Sequence, residues 1–355
     1  MESQKNDQLF LNFLKTRVNR NLDIKEDDIL NEFSDTPNLE NNRRLFKNIY
    51  QFDYLNVFIK DTKVNEIIVH DYKTLQIEKD GILQTKILTD LSEDIYFTSL
   101  ETLALKNKVT WNYSNPFASF YTQFEHFSFR ASLIHESCGP MKKSKFFLRR
   151  IRPTPFPLLN FGITNKDEWK VKGLISERKN ILLAGAAGSG KSSLLASLLE
   201  NIEETEHVII LEDTHEIIIL KKNFTSFLGQ ENLTNKSLKD LCTFSLRLRP
   251  DRIILGEIRS SEIIPFVLAM NTGHKGMIST IHADSAIDAV SRMALLFVIH
   301  GENQAFSYEM ALKLICKNID VVIFLKDKKI KEIIKIIGAD NGMATYDYLF
   351  KNNSS

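Results

Sequence analysis

A glycine-rich octapeptide is the most specific chemical signal in this sequence. Residues 185–192 read GAAGSGKS and match the pattern G-x-x-x-x-G-K-[ST]. Glycines let successive backbone N–H groups curve around phosphate oxygens, the lysine reaches the outer phosphates, and the final hydroxyl binds Mg²⁺. An apolar run precedes the octapeptide and a helical pattern follows it, as this chemistry requires. We therefore predict a site for ATP and Mg²⁺ whose contacts come from Gly185, Gly188, Ser189, Gly190, Lys191, Ser192 and Ser193.

Two further apolar runs end in acidic residues and supply candidate catalytic carboxylates. One run leads into Glu212 and Asp213, and the other leads into Glu257. Strands of an open α/β sheet present ligands at their carboxyl ends, so we expect Glu212 and Glu257 at one edge. Either acid can act as base or water-orienting group while the other faces the metal, and Asp213 can equally cap a helix. In the position of a Walker-B acid, Glu257 is predicted to hold Mg²⁺ together with Ser192.

A histidine and several arginines complete the candidate chemistry. His282 ends a third apolar run and can hydrogen-bond a γ-phosphate, although a purely structural histidine is a competing interpretation. Residues 141–152 form a basic segment within a chain of net charge +1. A solvated face is the competing interpretation of that segment. Its basic residues are Lys142, Lys143, Lys145, Arg149, Arg150 and Arg152.

The elements that must position these residues fall into successive segments. Residues 1–50 have helical apolar spacing among charged and Asn-rich stretches, which indicates a helical N-terminal arm. Residues 51–155 mix β-rich runs, an Asp-Gly turn signal and a helix, which predicts an α+β N-terminal domain. A proline cluster then marks a linker and helix over residues 156–178. Strand and helix patterns alternate over residues 179–355, which predicts an α/β domain with a parallel sheet.

Composition excludes several classes of protein. With 355 residues, 43% hydrophobic and 26% charged, the chain can bury a full core, and wholesale disorder is excluded. The near-neutral charge removes a global electrostatic argument for a nucleic-acid coat. Three cysteines without a C-x-x-C pair favour a reducing compartment. We find neither a signal peptide nor an apolar run near the roughly 20 residues that a membrane helix needs, so a cytoplasmic location is expected.

Taken together, the motifs resemble those of a known family. The segments ILEDT at 210–214, LRLRPDRIILGEIR at 246–259 and TGHKG at 272–276 with TIHA at 280–283 are similar to the Asp box, Walker B and His box of the type II/type IV secretion ATPase superfamily. The likeness is greatest to the ATPases of type IV secretion and of tight-adherence (Flp) pilus assembly. It extends from about residue 57 to the end and is strongest over residues 179–300.

This resemblance implies an architecture and a set of partners. It implies a RecA-like P-loop NTPase C-terminal domain, a smaller α+β N-terminal domain, and a homo-hexameric ring with the nucleotide sandwiched between the domains. Glu212 would be the Asp-box acid and His282 the His-box residue, while Arg130 and either Arg149 or Arg150 would complete the site from the N-terminal domain. The implied partner is an inner-membrane secretion or pilus-assembly platform, with peripheral membrane association through partners and no direct nucleic-acid contact.

The implied function is Mg²⁺-dependent ATP hydrolysis that powers secretion or pilus assembly. A pilus-retraction motor is the alternative within the class. From other classes, a P-loop kinase of a small acceptor, a nucleotide-binding scaffold with little turnover, and a DNA-translocating motor remain open. Phosphate release without an acceptor separates the ATPase from the kinase.

Overall fold

The computed structural model describes residues 39–89, 91–152, 154–230, 235–301 and 306–352, together with positions 10, 12, 13 and 16. It divides into two compact units, Met1–Ile151 and Arg152–Ser355. The division lies between residues 151 and 152, a few residues before the linker and helix expected over residues 156–178. Most of the helical arm expected over residues 1–50 lies outside the described residues, and its described end is helix α1, Leu39–Tyr50.

The first unit is built on an antiparallel sheet. Its strands lie in the order β3-β2-β1-β6-β5-β4, and every neighbouring pair is antiparallel. The predicted Asp80-Gly81 turn joins β2 and β3, with φ of 54° and 83° at its two residues, the left-handed pair that a two-residue hairpin needs. The described helices are α1, α2 (Asn56–Lys60) and α3 (Glu93–Lys106), and the strands are β1 (Val64–Val69), β2 (Thr74–Lys79), β3 (Ile82–Ile87), β4 (Phe117–Phe124), β5 (Phe127–Ile134) and β6 (Lys145–Ile151).

The core of the first unit lies on one face of this sheet. Strand β4 shows why, because its buried positions alternate with open ones along the whole strand. The ring of Phe52 contacts those of Phe124 and Phe146 at centroid distances of 5.2 and 5.6 Å, and α3 adds Leu100 and Leu103 to the same cluster. The opposite face of the sheet is therefore free to carry polar and charged side chains.

The second unit has one sheet with the strand order β14-β13-β12-β7-β11-β10-β8-β9. The six strands from β12 to β9 are parallel, as predicted, whereas β13 and β14 form antiparallel pairs at one edge. The described strands are β7 (Ile181–Gly185), β8 (Val208–Glu212), β9 (Phe224–Leu228), β10 (Arg252–Leu255), β11 (Ile278–Ile281), β12 (Val321–Lys326), β13 (Lys329–Asp340) and β14 (Met343–Lys351). The described helices are α4 (Asn165–Ser176), α5 (Lys191–Leu199), α6 (Leu238–Ser245), α7 (Ile263–Asn271), α8 (Ala286–His300) and α9 (Tyr308–Asn318).

Helices cover both faces of the parallel strands. Along β7, Leu182 belongs to a core cluster that includes residues of α6 to α9, while its neighbour Leu183 belongs to a cluster that includes residues of α4 and α5. Strands buried on both faces read as continuous apolar runs, which is why β7, β8 and β10 were recognisable in the sequence. This arrangement confirms the predicted α/β class and leaves the carboxyl ends of the strands as the edge for chemistry.

Candidate active site

The glycine-rich loop connects the central strand β7 to α5. Gly188 and Gly190 have φ of 70° and 96°, in the left-handed region that glycine enters without strain. A Cβ atom at Gly185 would lie 2.5 Å from the carbonyl oxygen of Leu325 and 2.5 Å from Ser189 Oγ. The loop therefore requires glycine where its backbone passes β12, and it leads directly into the N-terminus of α5, which favours anions.

Two polar side chains of this loop, those of Lys191 and Ser189, are buried. Lys191 is only 7% exposed, and its Nζ donates to the carbonyl oxygens of Gly185 at 2.8 Å and Ala186 at 2.9 Å. Burial lowers the pKa of Lys191, and Glu257 opposes that shift. Ser189 Oγ is buried and has no hydrogen-bond partner within the described part of the chain. Both groups suit an anion that supplies acceptor oxygens.

The two predicted acids follow neighbouring strands. Leu211 of β8 pairs with Leu255 of β10, so Glu212 and Gly256 lie side by side at the exits of these strands. A Cβ atom at Gly256 would be 3.1 Å from Glu212 Cγ, so the glycine lets the glutamate side chain pass close to the neighbouring backbone. The expected convergence of Glu212 and Glu257 at one edge is thus found in the structure.

Glu212 is engaged with its own loop. Its side chain is 4% exposed, and Oε1 accepts hydrogen bonds from the N–H groups of Glu216 and Ile217, both at 3.0 Å. His215 Nδ1 lies 3.3 Å from Oε2. Burial raises the pKa of Glu212, while these hydrogen bonds oppose the shift. The contacts show that Glu212 holds the segment 213–217 in place, and its predicted catalytic role stays a prediction.

Glu257 lies between two cationic or potentially cationic groups. Its side chain is 17% exposed, Oε2 accepts from Arg259 Nη2 at 2.5 Å, and Oε1 lies 2.9 Å from His282 Nε2. The His282 contact has the distance of an ion pair, yet Oε1 receives no hydrogen bond of good geometry from the described residues. One oxygen of Glu257 is therefore firmly held, and the other faces the histidine.

His282 links this carboxylate to the glycine-rich loop. Its Nδ1 lies 3.3 Å from Lys191 Nζ, so lysine, histidine and Glu257 form a continuous chain of contacts. Burial lowers the pKa of His282, with Glu257 opposing and Lys191 reinforcing the shift. A neutral imidazole at this position can accept from one neighbour and donate to another. The structure thus places His282 beside Lys191 and Glu257, and its role at the γ-phosphate stays a prediction.

The three predicted arginines lie on two neighbouring strands of the first unit. Arg130 of β5 pairs directly with Arg149 of β6, so both side chains leave the same face of the sheet. Arg149 Nε donates to Glu66 Oε1 at 2.7 Å, and together with Arg130 and Glu66 it lines a depression of about 360 Å³ on that face. Arg130 Nε lies 3.3 Å from Ser119 Oγ.

Arg150 leaves the opposite face and serves the fold of its own unit. Its guanidinium donates to the carbonyl oxygens of Val64 at 2.7 Å, Ile59 at 2.7 Å and Asp61 at 3.1 Å. It also lies 4.8 Å from the ring centroid of Phe129. Of the two alternatives left open by the sequence, Arg149 and not Arg150 shares its face of the sheet with Arg130, and which of them reaches a nucleotide stays a prediction.

The residues present fit a nucleotide with Mg²⁺. The glycine cradle, the buried Lys191 and the unsatisfied Ser189 hydroxyl are suited to phosphate oxygens. Among the described residues no group of three or more His, Cys, Asp or Glu side chains could hold a metal ion unaided. A site with few protein ligands suits Mg²⁺, which is typically held by one or two protein groups together with phosphates. Ser192 and Glu257 are the residues that would hold it.

These features define an α/β P-loop protein whose second unit is RecA-like, with a smaller α+β unit before it. A family model described as "Type II/IV secretion system protein" matches residues 120–331, which is more than half of the chain. The chain belongs to this family, and the resemblance drawn from its motifs is confirmed. No helix in the described segments has both the length and the apolar character needed to cross a bilayer.

Individual relatives agree with this assignment. The conjugal transfer protein TrbB of Rhizobium radiobacter is 26% identical over 298 residues, covering 81% of this chain and 88% of the relative. The type IV secretion system protein VirB11 of Bartonella quintana is 38% identical over 122 residues, and that match spans only 34% of either chain. The ATPase DotB of Legionella pneumophila has a TM-score of 0.57 at 19% identity, covering 84% of this chain and 79% of that one.

A further solved structure shows the same fold. The pilus retraction motor PilT with bound ADP has a TM-score of 0.58 at 20% identity and covers 85% of this chain and 83% of that one. At such identities the likeness to DotB and PilT concerns the fold, which it places among proteins with an N-terminal domain followed by a RecA-like domain.

Arg259 is the site residue that the sequence analysis missed. It lay inside the stretch that carries the family resemblance, two residues after Glu257, but its type and spacing alone assigned it no chemistry. Its partner Asp213, for which capping was as plausible as chemistry, accepts from Arg259 Nη1 at 2.6 Å. The only sequence signal for it was that acidic residues follow both β8 and β10, and that Arg259 stands two residues after one of them.

Proposed function

We propose that this chain is an Mg²⁺-dependent ATPase that works as a homo-hexameric motor and powers protein secretion or pilus assembly at the cytoplasmic face of the inner membrane. The family assignment supports a secretion-related role, and the TrbB and VirB11 relatives belong to conjugal transfer and type IV secretion. One observation carries the chemical part: Glu257 lies within contact distance of His282, which in turn contacts the phosphate-loop Lys191.

The residues of the second unit divide the work of hydrolysis. Lys191 releases its bonds to the loop carbonyls and holds the β- and γ-phosphates as a point charge. Glu257 orients or deprotonates the attacking water with Oε1, the oxygen that receives no good hydrogen bond. His282, between Glu257 and Lys191, is placed to hydrogen-bond the γ-phosphate and to register its loss. Ser192 would hold Mg²⁺ with the Glu257 carboxylate facing it, and the ion would supply positive charge that neutralises the phosphates.

The first unit contributes the cations that complete the site. Charge that builds on the γ-phosphate in the transition state is stabilised by an arginine, and Arg130 and Arg149 offer guanidinium groups on one open face. Because these arginines belong to a different unit from Lys191, hydrolysis should require both units of the chain.

Two measurements on the full-length chain test this function. Phosphate release is followed with ATP and Mg²⁺ and no added acceptor, and particle mass is measured by light scattering with and without a non-hydrolysable ATP analogue. We expect Mg²⁺-dependent release and a mass of six chains with the analogue. Lys191→Ala is the matched control and should release no phosphate while remaining folded. Transfer to a small acceptor without release would indicate a kinase, and release unchanged by Lys191→Ala would refute the site.

A further inference from the structure

Arg259 bridges two carboxylates at neighbouring strand exits. Its Nη1 donates to Asp213 Oδ2 at 2.6 Å, after β8, and its Nη2 donates to Glu257 Oε2 at 2.5 Å, after β10. β8 and β10 are paired in parallel, so the two acids would otherwise face each other as like charges. A planar guanidinium with separate donors suits this bridging position better than a single ammonium.

The backbone of Arg259 is held independently of its side chain. The buried carboxylate of Glu262, 2% exposed, accepts from the backbone N–H of Arg259, and it also accepts from the N–H and the hydroxyl of Ser260, both at 2.7 Å. Glu262 directly precedes helix α7, so the segment 259–260 is fastened to a regular element. The Arg259 side chain itself is 50% exposed, so substituting it removes no part of the core.

The bridge determines how Glu257 presents its two oxygens. Because Oε2 is taken by Arg259, Oε1 is the oxygen that lies 2.9 Å from His282 Nε2. Without that hold, rotation of the carboxylate would allow either oxygen to turn toward Asp213 or away from the histidine. A water-activating carboxylate must be oriented closely, since a misplacement of about 1 Å can cost about 100-fold in rate.

We infer that Arg259 is a positioning residue for hydrolysis, which fixes the orientation of the Glu257 carboxylate and is itself held in place by Asp213. This inference rests on the proposed function. Other charged groups facing this cluster are Lys191 from α5, Glu216 from the loop after β8, His282 after β11 and Arg292 from α8. None of these bridges Glu257 to the exit of β8 as Arg259 does within the described residues.

The test compares kcat and KM for phosphate release by full-length variants. Arg259→Ala should lower kcat about 10- to 100-fold with little change in KM for ATP, because orientation of the base is lost while phosphate binding is kept. Arg259→Lys should be intermediate, since one ammonium keeps the charge but not the bridge.

Asp213 supplies a second arm of the test. Asp213→Asn should lower kcat less than Arg259→Ala, and the double variant should be no slower than Arg259→Ala alone, because Asp213 acts through the arginine. Additive losses in this cycle would overturn the proposed dependence of Asp213 on Arg259.

Arg178 is a matched control, because the carboxylates that it contacts precede β8 and β10 instead of following them. Arg178 also lies between two carboxylates, with Nη2 3.0 Å from Glu206 Oε2 and 4.0 Å from Asp251 Oδ1, and its side chain is 45% exposed. Arg178→Ala removes a similar bridge before β8 and β10, so it should leave kcat and KM unchanged, whatever it does to stability.

The outcomes are distinct. Hydrolysis by the unmodified chain, with kcat lowered at unchanged KM in Arg259→Ala, partly restored in Arg259→Lys and unchanged in Arg178→Ala, supports the inference. Equal kcat for the unmodified chain and Arg259→Ala overturns it and leaves the proposed function standing. Equal losses of kcat in the two alanine variants reveal a structural role only and also overturn it. If the unmodified chain does not hydrolyse ATP, both the inference and the proposed function fail.

Discussion

Arg130 and Arg149 lie directly opposite each other on β5 and β6, whereas the next residue, Arg150, is bonded to backbone carbonyls on the other face of the same sheet. Two adjacent arginines of one strand thus have different surroundings. Substitution of Arg149 should therefore affect turnover, whereas substitution of Arg150 should affect stability.

We predict that Arg130→Ala and Arg149→Ala bind ATP with near-parental affinity but lose about 10³-fold in kcat, because the transition-state charge loses a guanidinium partner. Arg150→Ala is the control on the neighbouring position. It should lower the melting temperature of the first unit, because three carbonyl oxygens lose their donor. ATP affinity, steady-state phosphate release and thermal unfolding are measured on all three. Normal hydrolysis by both Arg130→Ala and Arg149→Ala would show that these side chains only solvate the sheet.

The surroundings of Glu212 and Glu257 predict unequal effects of removing their charges. Glu257→Gln should keep ATP binding and reduce kcat about 10²- to 10⁴-fold, the usual contribution of a general base. Glu212→Gln should also bind ATP and should slow hydrolysis less, because the amide oxygen can still accept from the N–H groups of Glu216 and Ile217. Single-turnover rates at saturating ATP provide the comparison. A larger loss in Glu212→Gln would instead assign the base to Glu212.

His282 should make the stability of the second unit depend on pH. Burial lowers the pKa of His282 below its ordinary value of 6.5. Between the pKa of the unfolded chain and the lower pKa of the folded one, the unfolded state binds more protons, so stability falls as pH drops below about 6.5. His282→Gln should therefore lose less stability between about pH 7.5 and 5.5. Urea unfolding at the two pH values measures this, and equal losses in His282→Gln and the parent would contradict it.

Two glycines flanking one short turn should tolerate alanine differently. Gly276 has φ of 69°, and a Cβ there would be 2.8 Å from Nη1 of Arg252, whose guanidinium is buried against Glu206. Gly273 has φ of 104° with open space around its Cβ position. We expect Gly273→Ala to cost about 1–2 kcal/mol, for the left-handed backbone alone, and Gly276→Ala to cost more by about 1–3 kcal/mol. The denaturant midpoints of the two variants measure these losses of stability. Equal losses would mean that the Arg252 side chain moves aside freely.

Much of the site could be predicted because its signals are local. The phosphate loop needs a strand, glycines and a helix in immediate succession, and the buried runs before Glu212, Glu257 and His282 placed these side chains at one edge. Arg259 was missed because its role depends on Asp213, 46 residues away along the chain and on another strand exit.

The choice between Arg149 and Arg150 could not be made from the sequence either. Phe147 and Leu148 are consecutive apolar residues, so the alternation that would assign a face to each arginine is ambiguous until pairing with β5 settles it. Near the end of the chain, no element was predicted beyond residue 297. Strands β13 and β14 pair there with irregular register near Ile333 and Ile336, which breaks the two-residue period that reveals a strand.

The surroundings of the phosphate loop are completed only late in the synthesis of the chain. Its strand β7 lies between β11 and β12, and the carbonyl of Leu325 on β12 passes close to Gly185. As the ribosome extends the chain, the loop sequence emerges well before either flanking strand, and β12 emerges about 140 residues after β7. A truncated or stalled chain that ends before β12 therefore has an open side next to its phosphate loop. If the loop binds nucleotide as proposed, the ligand should stabilise chains that have passed residue 326 more than shorter fragments.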